Sequence, residues 1–343
     1  VINTNNNGDV DISLMEGDMG LSDIVHPKLF GLRIDLFDSV SFDSPSSQWL
    51  LNHCNSSEEI DSVSTVNSDN LDNIIFGQIT QKKILNIRSG IASWDQEIKL
   101  LASDGAINDY FGTSVAISGD VALIGSRYDD DNGYNSGSAY VYRFDGSSWQ
   151  EEAKLLASDG AAYDLFGISV AIDGNLALIG AMGDDDNGGW SGSAYVYRFD
   201  GDSWQEEAKL LPSDGADWDY FGRSVAIDGN LALIGAWGDD DNGTNSGRAY
   251  IFDFDGVIWQ ETKLTASDGV SGDNFGSSVA IDGSTVVVGA QLGDDNEVSI
   301  VDSGGVYVYF KNTCTGIWDE EKLSFPEAEA SSLFGSSVAI SGD

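Results

Sequence analysis

The sequence predicts an all-β fold, a β-propeller built from four-stranded antiparallel blades. Three observations predict it: a strict repeat of about 55 residues, four short β-type runs in each repeat, and a third run with apolar side chains on both faces. A sheet that is apolar on both faces must be covered on both sides. Tandem blades that pack face to face provide this cover.

A Phe-Gly pair followed by Ser-Val-Ala marks the start of each repeat, and the pairs recur at spacings of 55, 55, 54 and 59 residues. We expect each Phe to fill the space between two blades, and each Gly to allow close approach of the backbone. The five pairs are Phe111-Gly112, Phe166-Gly167, Phe221-Gly222, Phe275-Gly276 and Phe334-Gly335.

The second repeat shows the predicted elements most clearly. Its four β-type runs span residues 169–172, 176–181, 193–199 and 204–211. Asp173-Gly174 and Asp200-Gly201 supply the positive-φ positions that tight hairpins need. The link between the second and third runs is a longer polar loop. In the third run Ala194 and Val196 lie on one face and Tyr195 and Tyr197 on the other.

The repeat also predicts the domain organisation. Complete blades are predicted at residues 101–155, 156–210, 211–264 and 265–323, with a truncated blade at 324–343. Trp94 lies 55 residues before Trp149, which indicates a degenerate blade at 61–100, preceded by a segment of unclear fold at 1–60. The repeat alone leaves the ring open to two interpretations, of which one is part of a seven-bladed ring within a longer protein. The alternative is five-bladed closure, in which the strand after Phe334 pairs with N-terminal strands.

The composition excludes several partners. The chain has 57 acidic and 16 basic residues and a formal charge of −41, so its surface repels nucleic acid and acidic membranes. Its 41% hydrophobic content is too high for a disordered acidic chain. The sequence also contains no apolar run near the roughly 18 residues of a membrane span, so no direct membrane insertion is expected.

Acidic residues are concentrated in two loops of each repeat. Asp-Asp-Asp-Asn-Gly lies between the second and third runs, for example at residues 184–188, and a weaker form is found at Asp294 and Asp295. A second motif, Ser-Asp-Gly-Ala-x-x-Asp-x-Phe-Gly, precedes the first run, with Asp159 and Asp164 in the second repeat. Because antiparallel strands alternate in direction, both loops are predicted on one rim of the propeller.

Carboxylates at this density suit Ca²⁺, which takes 6 to 8 oxygen ligands, and the repeats lack the histidine and thiolate sets that zinc or copper prefer. Our hypothesis is that Asp164, Asp184 and Asp186, with their counterparts, hold one cation per blade. The alternative is that Asp, Asn and Gly act only as turn formers that keep the surface soluble. The candidate metal ligands are Asp109, Asp129, Asp131, Asp164, Asp184, Asp186, Asp219, Asp239, Asp241, Asp273, Asp294 and Asp295.

Tryptophan occurs in two settings. One opens the fourth run of each repeat, as at Trp149 and Trp204, and is predicted to pack between blades. Trp190 and Trp237 lie instead in or beside the acidic loop, where a carbohydrate ring could stack on them.

Residue inventory argues against catalysis. The two histidines, His26 and His53, lie outside the repeats, and Cys314 is the sole cysteine within them, so the repeats contain no Ser-His-Asp or Cys-His set. The acidic residues recur in every unit, whereas catalysis needs one asymmetric site. We therefore predict a non-enzymatic protein.

Each of the first four Phe-Gly pairs is followed by Ile-Gly-Ala or a close variant, as at residues 179–181. With this motif the chain resembles the FG-GAP repeats that form the integrin α-subunit propeller. The resemblance implies a seven-bladed, extracellular or cell-surface propeller that mediates adhesion or ligand binding, commonly with calcium. In integrins the calcium loop joins the first and second strands of a blade. Here that link is a tight turn at Asp173-Gly174, so the integrin calcium sites do not carry over.

Two classes of function follow. The first is adhesion or binding of a protein or polysaccharide ligand on the loop rim, assisted by calcium. The second is a passive structural repeat array, or a carbohydrate-binding accessory module of a larger secreted protein.

Overall fold

The computed structural model describes residues 2–4, 10–12, 98–294, 303–312, 314–323 and 330–342. The chain divides into two compact units, Val1–Lys99 and Leu100–Asp343. In the first unit, β1 (Ile2–Thr4) pairs antiparallel with β2 (Val10–Ile12). The remainder of the predicted segment 1–60 and almost all of the predicted degenerate blade 61–100 lie outside the described residues.

The described part of the second unit contains sixteen strands in four antiparallel sheets, each with its four strands in chain order. The first sheet comprises β3 (Phe111–Ser118), β4 (Val121–Ser126), β5 (Ser138–Phe144) and β6 (Trp149–Leu155). The second comprises β7 (Ser169–Asp173), β8 (Leu176–Ala181), β9 (Ser193–Phe199) and β10 (Trp204–Leu210). The third comprises β11 (Ser224–Asp228), β12 (Leu231–Ala236), β13 (Arg248–Phe254) and β14 (Trp259–Leu264). The fourth comprises β15 (Phe275–Asp282), β16 (Thr285–Ala290), β17 (Gly305–Lys311) and β18 (Trp318–Leu323).

These sheets confirm the predicted four-run repeat. The β7–β8 hairpin pairs Asp173 with Leu176, which leaves Gly174 and Asn175 as its two-residue loop. Gly174 has a φ of 55°, as a tight hairpin of this kind requires. A tight turn is therefore present where it was predicted, but its two central residues are Gly174 and Asn175, and Asp173 is the last residue of β7.

The sheets pack in series as blades of a propeller. The first strands of successive blades are neighbours, with β3 beside β7, β7 beside β11 and β11 beside β15. The hydrophobic cores lie between blades, as predicted. Phe166 is fully buried against Leu123 and Val141 of the preceding blade, and Trp204 belongs to the same cluster. The number of blades in the complete ring stays a prediction.

Backbone and side-chain hydrogen bonds fix each blade to the next. Ser169 Oγ donates to the carbonyl oxygen of Gly222 at 2.7 Å, and Asp173 Oδ2 accepts the Gly229 N–H at 2.8 Å. The truncated fifth repeat makes equivalent contacts, because Ser278 Oγ donates to Gly335 O at 2.7 Å. Phe334 also forms a parallel bridge with Gly304. Phe334 and Gly335 therefore contact the fourth blade as the Phe-Gly pairs of the later blades contact the blades before them, and the truncated blade at 324–343 stays a prediction.

No helix within the described residues is long and apolar enough to cross a membrane.

Candidate functional site

The loop that precedes the first strand and the loop between the second and third strands meet, as predicted. In the second blade Gly183 N donates to Asp164 O at 3.0 Å. The second loop also contacts the following blade, since Trp218 N donates to Gly189 O at 2.9 Å and Phe221 N donates to Ser191 O at 3.0 Å. We call this surface the loop rim: residues 157–168 and 182–192 of the second blade and their counterparts in the others.

A lysine lies at the centre of the acidic cluster in the second blade. Lys209 Nζ, from β10, is 2.8 Å from Asp159 Oδ2 and 2.7 Å from both Asp184 Oδ2 and Asp186 Oδ2. These three carboxylates have oxygens within 4.8 Å of one another. The Tyr195 hydroxyl donates to Asp159 at 2.7 Å, which places a fifth polar group in the cluster.

The cluster holds Lys209 in its charged form. Burial alone lowers the pKa of Lys209, but hydrogen bonds to the three carboxylates outweigh burial and raise this pKa above its ordinary value. For Asp159, burial alone acts in the opposite direction and raises the pKa. Hydrogen bonds from Lys209 and Tyr195 outweigh this effect and leave the Asp159 pKa below its ordinary value. One ammonium therefore compensates one of the three negative charges of the cluster.

The first blade repeats this arrangement. Lys154 Nζ lies 2.7 Å from Asp104, 2.9 Å from Asp129 and 2.7 Å from Asp131. Hydrogen bonds from Lys154 and the Tyr140 hydroxyl hold the pKa of Asp104 below its ordinary value.

The third and fourth blades vary the arrangement. In the third, Arg248 from β13 contacts Asp214 at 2.7 Å and Asp241 at 2.6 Å, and Lys263 also reaches Asp214 at 2.6 Å. In the fourth, Lys322 contacts Asp268 at 2.6 Å. Each described blade therefore supplies its own cation to the acidic loops.

The structure assigns different positions to the candidate metal ligands. Asp129, Asp184 and Asp239 are buried, and a carboxylate oxygen of each lies 3.0, 3.1 and 3.0 Å, respectively, from the hydroxyl oxygen of a tyrosine in the third strand. Asp131, Asp186 and Asp241 are about half exposed at the rim and contact the side-chain cation. Lys322 Nζ lies 3.4 Å from the backbone oxygen of Asp294, and Asp295 lies outside the described residues.

Asp164 and its counterparts have another role. The Asp164 side chain is 5% exposed, and its Oδ2 accepts the Ala161 N–H at 2.7 Å. The same bond, to the N–H three residues earlier, holds the loop before each first strand. The members of this set are Asp109, Asp164, Asp219 and Asp273. The carboxylate grouped with Asp184 and Asp186 is thus Asp159, whereas the hypothesis named Asp164.

Burial raises the pKa of Asp164 to about 6, against the hydrogen bond from Ala161, and the nearby charge of Asp184 adds to the increase. Because the folded-state pKa is raised, Asp164 is protonated and costs no stability below its ordinary value of 3.8. As the pH rises through about 6, Asp164 loses its proton and the free energy of unfolding falls. Asp164→Asn keeps an acceptor for Ala161 and removes the buried charge.

We expect Asp164→Asn to be more stable than the wild type by about 1–2 kcal/mol at pH 7.5, with this difference vanishing near pH 4. Thermal melts of both proteins across this range measure the difference. Asp202→Asn, at an exposed hairpin position of the same blade, is the control and is expected to show none. If the stability difference between Asp164→Asn and the wild type does not change with pH, the raised pKa of Asp164 is wrong.

The fit of this site to Ca²⁺ can be judged from its donors. Three carboxylate oxygens form a suitable start, but Lys209 Nζ lies within hydrogen-bond distance of all three. An ammonium ion repels a divalent cation and occupies the space that the cation needs. The clusters with lysine in place therefore do not fit calcium, and calcium binding stays a prediction.

Sequence reasoning missed the lysine, although a signal was present. Lysine recurs with the period of the repeat in a chain that has only 16 basic residues. The positions are Lys99, Lys154, Lys209, Lys263 and Lys322.

An aromatic cluster interrupts this regular pattern at the junction of the second and third blades. Trp190 and Trp218 are stacked with ring centroids 6.2 Å apart and planes 6° apart. Tyr220 and Trp237 are stacked at 4.8 Å and 3°, and Trp190 contacts the Tyr220 ring edge-on at 6.0 Å. We call these four residues the aromatic cluster. It includes both predicted stacking candidates and adds Trp218, which is 55% exposed, and Tyr220.

The aromatic cluster is placed by loop geometry that all junctions share. Trp190, Trp218 and Tyr220 have φ values of 59°, 72° and 56°. The corresponding positions of the preceding junction, Asn135 and Tyr163, have φ values of 56° and 76°. The backbone conformation is therefore general, and the side chains alone distinguish this junction.

Fold and rim together define a class of protein: a repeat propeller whose loops form one continuous surface. FG-GAP repeats match residues 94–142, 149–197, 204–252 and 259–309, which together exceed half of the chain. The chain therefore belongs to the FG-GAP repeat family. A comparison with curated proteins found no match.

Proposed function

We propose that this propeller is a non-enzymatic adhesion or ligand-binding module that acts outside the cell or at its surface and binds a protein or polysaccharide on the loop rim. FG-GAP repeats build β-propeller modules that often bind ligands or proteins. The extracellular location follows from the resemblance to the integrin α-subunit propeller. The observation that carries the binding proposal is the aromatic cluster.

The aromatic cluster has the chemistry of a binding hot spot. Large, rigid aromatic side chains supply much of the energy at binding surfaces and lose little conformational entropy. Packing Trp218 and Trp190 against each other leaves Trp218 with 55% of its surface in solvent. Main-chain hydrogen bonds from Trp218 and Tyr220 to the preceding blade hold both residues in position. The cluster is therefore preorganised for a ligand.

A polysaccharide is the second candidate ligand beside a protein. Sugar rings stack on flat aromatic faces, and the two nearly parallel, stacked pairs of the aromatic cluster provide such faces.

The acidic residues support a non-enzymatic role. General acid–base catalysis needs a carboxyl group with a suitable pKa within reach of the substrate. In the second blade Asp184 and Asp186 are paired with Lys209, and Asp164 is hydrogen-bonded to the backbone. Their present partners already satisfy these groups. Binding at the loop rim is proposed without a calcium ion, since a lysine or arginine lies in the clusters of the first three blades.

The test compares matched double variants of the full chain. We expect the wild type to be retained on a protein or polysaccharide array, and Trp190→Ala/Trp218→Ala to bind the retained ligand at least tenfold more weakly. Tyr134→Ala/Tyr163→Ala removes an aromatic pair of the preceding junction, whose ring centroids are 5.4 Å apart, and is the control. Thermal melts establish that both variants are folded. Equal binding by the tryptophan variant and the wild type would overturn the proposed role of the aromatic cluster.

A further inference from the structure

Two aspartates beside the aromatic cluster have no counter-charge among the described residues. Asp217 Oδ1 accepts the Gly189 N–H at 2.8 Å, and Asp185 Oδ1 accepts the Trp190 N–H at 3.0 Å. Both aspartates are exposed, and neither forms an ion pair with any residue that the structure describes. Asp217 also directly precedes Trp218 in the chain. Two uncompensated negative charges are therefore fixed next to the two stacked tryptophans.

Other aromatic rings of the propeller contact the protein's own cations. Lys209 Nζ lies 5.3 Å from the ring centre of Tyr195, and the first and fourth blades contain the corresponding lysine–tyrosine contacts at 5.2 and 5.3 Å. Within the described ranges, no lysine or arginine lies over a ring of the aromatic cluster. Because the face of an aromatic ring attracts positive charge, the cluster and its two carboxylates suit a cation supplied by a ligand.

The first blade shows that this part of the loop rim can hold a cation against an aromatic ring. Arg127 and Tyr110 occupy the positions of the repeat that Trp237 and Tyr220 occupy in the third blade. The guanidinium carbon of Arg127 lies 5.5 Å from the ring centre of Tyr110 and 4.7 Å from that of Tyr128. In the third blade the arginine is replaced by a further ring, which stacks on Tyr220. The aromatic surface is thus enlarged where the cation is absent.

We propose that the aromatic cluster binds the trimethylammonium group of a trimethylated lysine in a protein ligand, which deepens the proposed function and rests on it. Primary ammonium groups are strongly hydrated, and ring faces replace their hydrogen bonds to water poorly. A trimethylammonium group has no N–H to satisfy, and it is attracted to aromatic faces. Trp218 and Tyr220 present such faces at 62° to each other, with ring centroids 6.2 Å apart, so two sides of one cation can be contacted.

The charge of the protein favours a lysine side chain as the source of this group. The other common source is the phosphocholine headgroup, in which a phosphate lies close to the trimethylammonium group. The net charge of −41 and the carboxylates of Asp185 and Asp217 repel that phosphate. A trimethylated lysine carries only the positive charge, so it suits this surface better.

The test observes the tryptophan rings directly. The full chain contains nine tryptophans, whose indole N–H signals are assigned by NMR with single variants. Titration with acetylated, amidated trimethyl-lysine is expected to shift the signals of Trp190 and Trp218 and to leave those of Trp149 and Trp204 unchanged. The neutral isostere, in which a tert-butyl group replaces the trimethylammonium group, is expected to bind at least tenfold more weakly. Equal affinity for the two compounds would mean that the charge is not recognised and would overturn the site.

Variants separate the contributions of ring and charge. Trp218→Ala is expected to weaken binding of the trimethyl-lysine compound at least tenfold. Asp217→Asn keeps an acceptor for the Gly189 N–H and is expected to weaken this binding about threefold, because it removes one of the two charges. Asp202→Asn, the control, removes a charge from an exposed hairpin and is expected to have no effect. Thermal melts establish folding, and unchanged binding in folded Trp218→Ala would overturn the site.

Three further outcomes bear on the ligand and on the proposed function. Equal or tighter binding of phosphocholine than of the trimethyl-lysine compound would overturn the assignment to a protein side chain. An array ligand that depends on Trp190 and Trp218 but is not displaced by the trimethyl-lysine compound would overturn the cation site and leave the rim function standing. Binding of this compound by a chain that no array ligand retains would support the site and remove the broader function.

Discussion

Gly180→Ala is expected to lower the free energy of unfolding by about 4 kcal/mol, because it inserts a methyl group where two blades touch. A Cβ at Gly180 would overlap the carbonyl oxygen of Gly222 and lie 2.9 Å from its carbonyl carbon. Both of these atoms belong to the backbone of the next blade, so no flexible side chain can move aside. The Ser169 hydroxyl, which donates to the same carbonyl oxygen at 2.7 Å, would also lose its geometry.

The measurement is chemical unfolding of the full chain, with Gly189→Ala as the matched control. Gly189 lies in the same blade, and a Cβ there would meet no atom within 4 Å. We expect this control to change the free energy of unfolding by less than about 0.5 kcal/mol. Similar free energies of unfolding for the two variants would show that the blades can move apart at Gly180 without destabilising the protein.

The same close approach explains why the repeated Ile-Gly-Ala and Phe-Gly motifs occur together. The carbonyl group of the Phe-Gly glycine packs against the Cα of the Ile-Gly-Ala glycine in the preceding blade, where a side chain would otherwise begin. Gly167 and Gly125 are one such pair. Gly222 itself has a φ of 85°, which a residue with a side chain rarely adopts. The sequence pattern is therefore the signature of a blade junction.

Much of the fold could be predicted because its signals are local. Turn residues such as Asp173-Gly174 fix the hairpins, and the alternation of residues in the third run identifies a strand buried on both faces. The predicted run 169–172 corresponds to β7 (Ser169–Asp173), and the run 204–211 to β10 (Trp204–Leu210). The blade number depends on residues 1–97, where repeat signals are weak.

The candidate site was harder to predict because its contacts join distant residues. The two acidic loops were correctly placed on one rim, since strand direction alone decides this. Lys209, however, lies 50 residues from Asp159 and 25 from Asp184, and loop conformation determines which carboxylate it reaches. The stacking of Trp190 on Trp218 likewise joins loops of two blades and has no local signal.

Lys209→Met is expected to lower the free energy of unfolding by about 3 kcal/mol, because it leaves three carboxylates without their shared cation. The expected cost is at the low end for a buried ion pair, since the side chain of Asp184 is 5% exposed but those of Asp159 and Asp186 are 47% and 54% exposed. Methionine preserves the apolar length of the side chain, so the change reports mainly on charge. Chemical unfolding at pH 7.5 measures the effect.

Lys263→Met provides a matched control, because the third blade has a second cation. Lys263 occupies the position of Lys209, but Arg248 also binds Asp214 and contacts Asp241 at 2.6 Å. Lys263→Met is therefore expected to lower the free energy of unfolding by no more than about 1 kcal/mol. Equal costs for the two lysines would mean that charge compensation within the cluster does not determine stability.

The same pair of variants decides between lysine and calcium as the cation of the loop rim. If lysine is the resident cation, millimolar calcium raises the melting temperature of the wild type little. It raises that of Lys209→Met clearly, since three carboxylates with oxygens within 4.8 Å then lack a counter-charge. Lys263→Met, which retains Arg248, is expected to respond like the wild type. A large calcium response of the wild type that disappears in chelator would instead mean that the ion displaces the ammonium group, and would restore the calcium hypothesis for these loops.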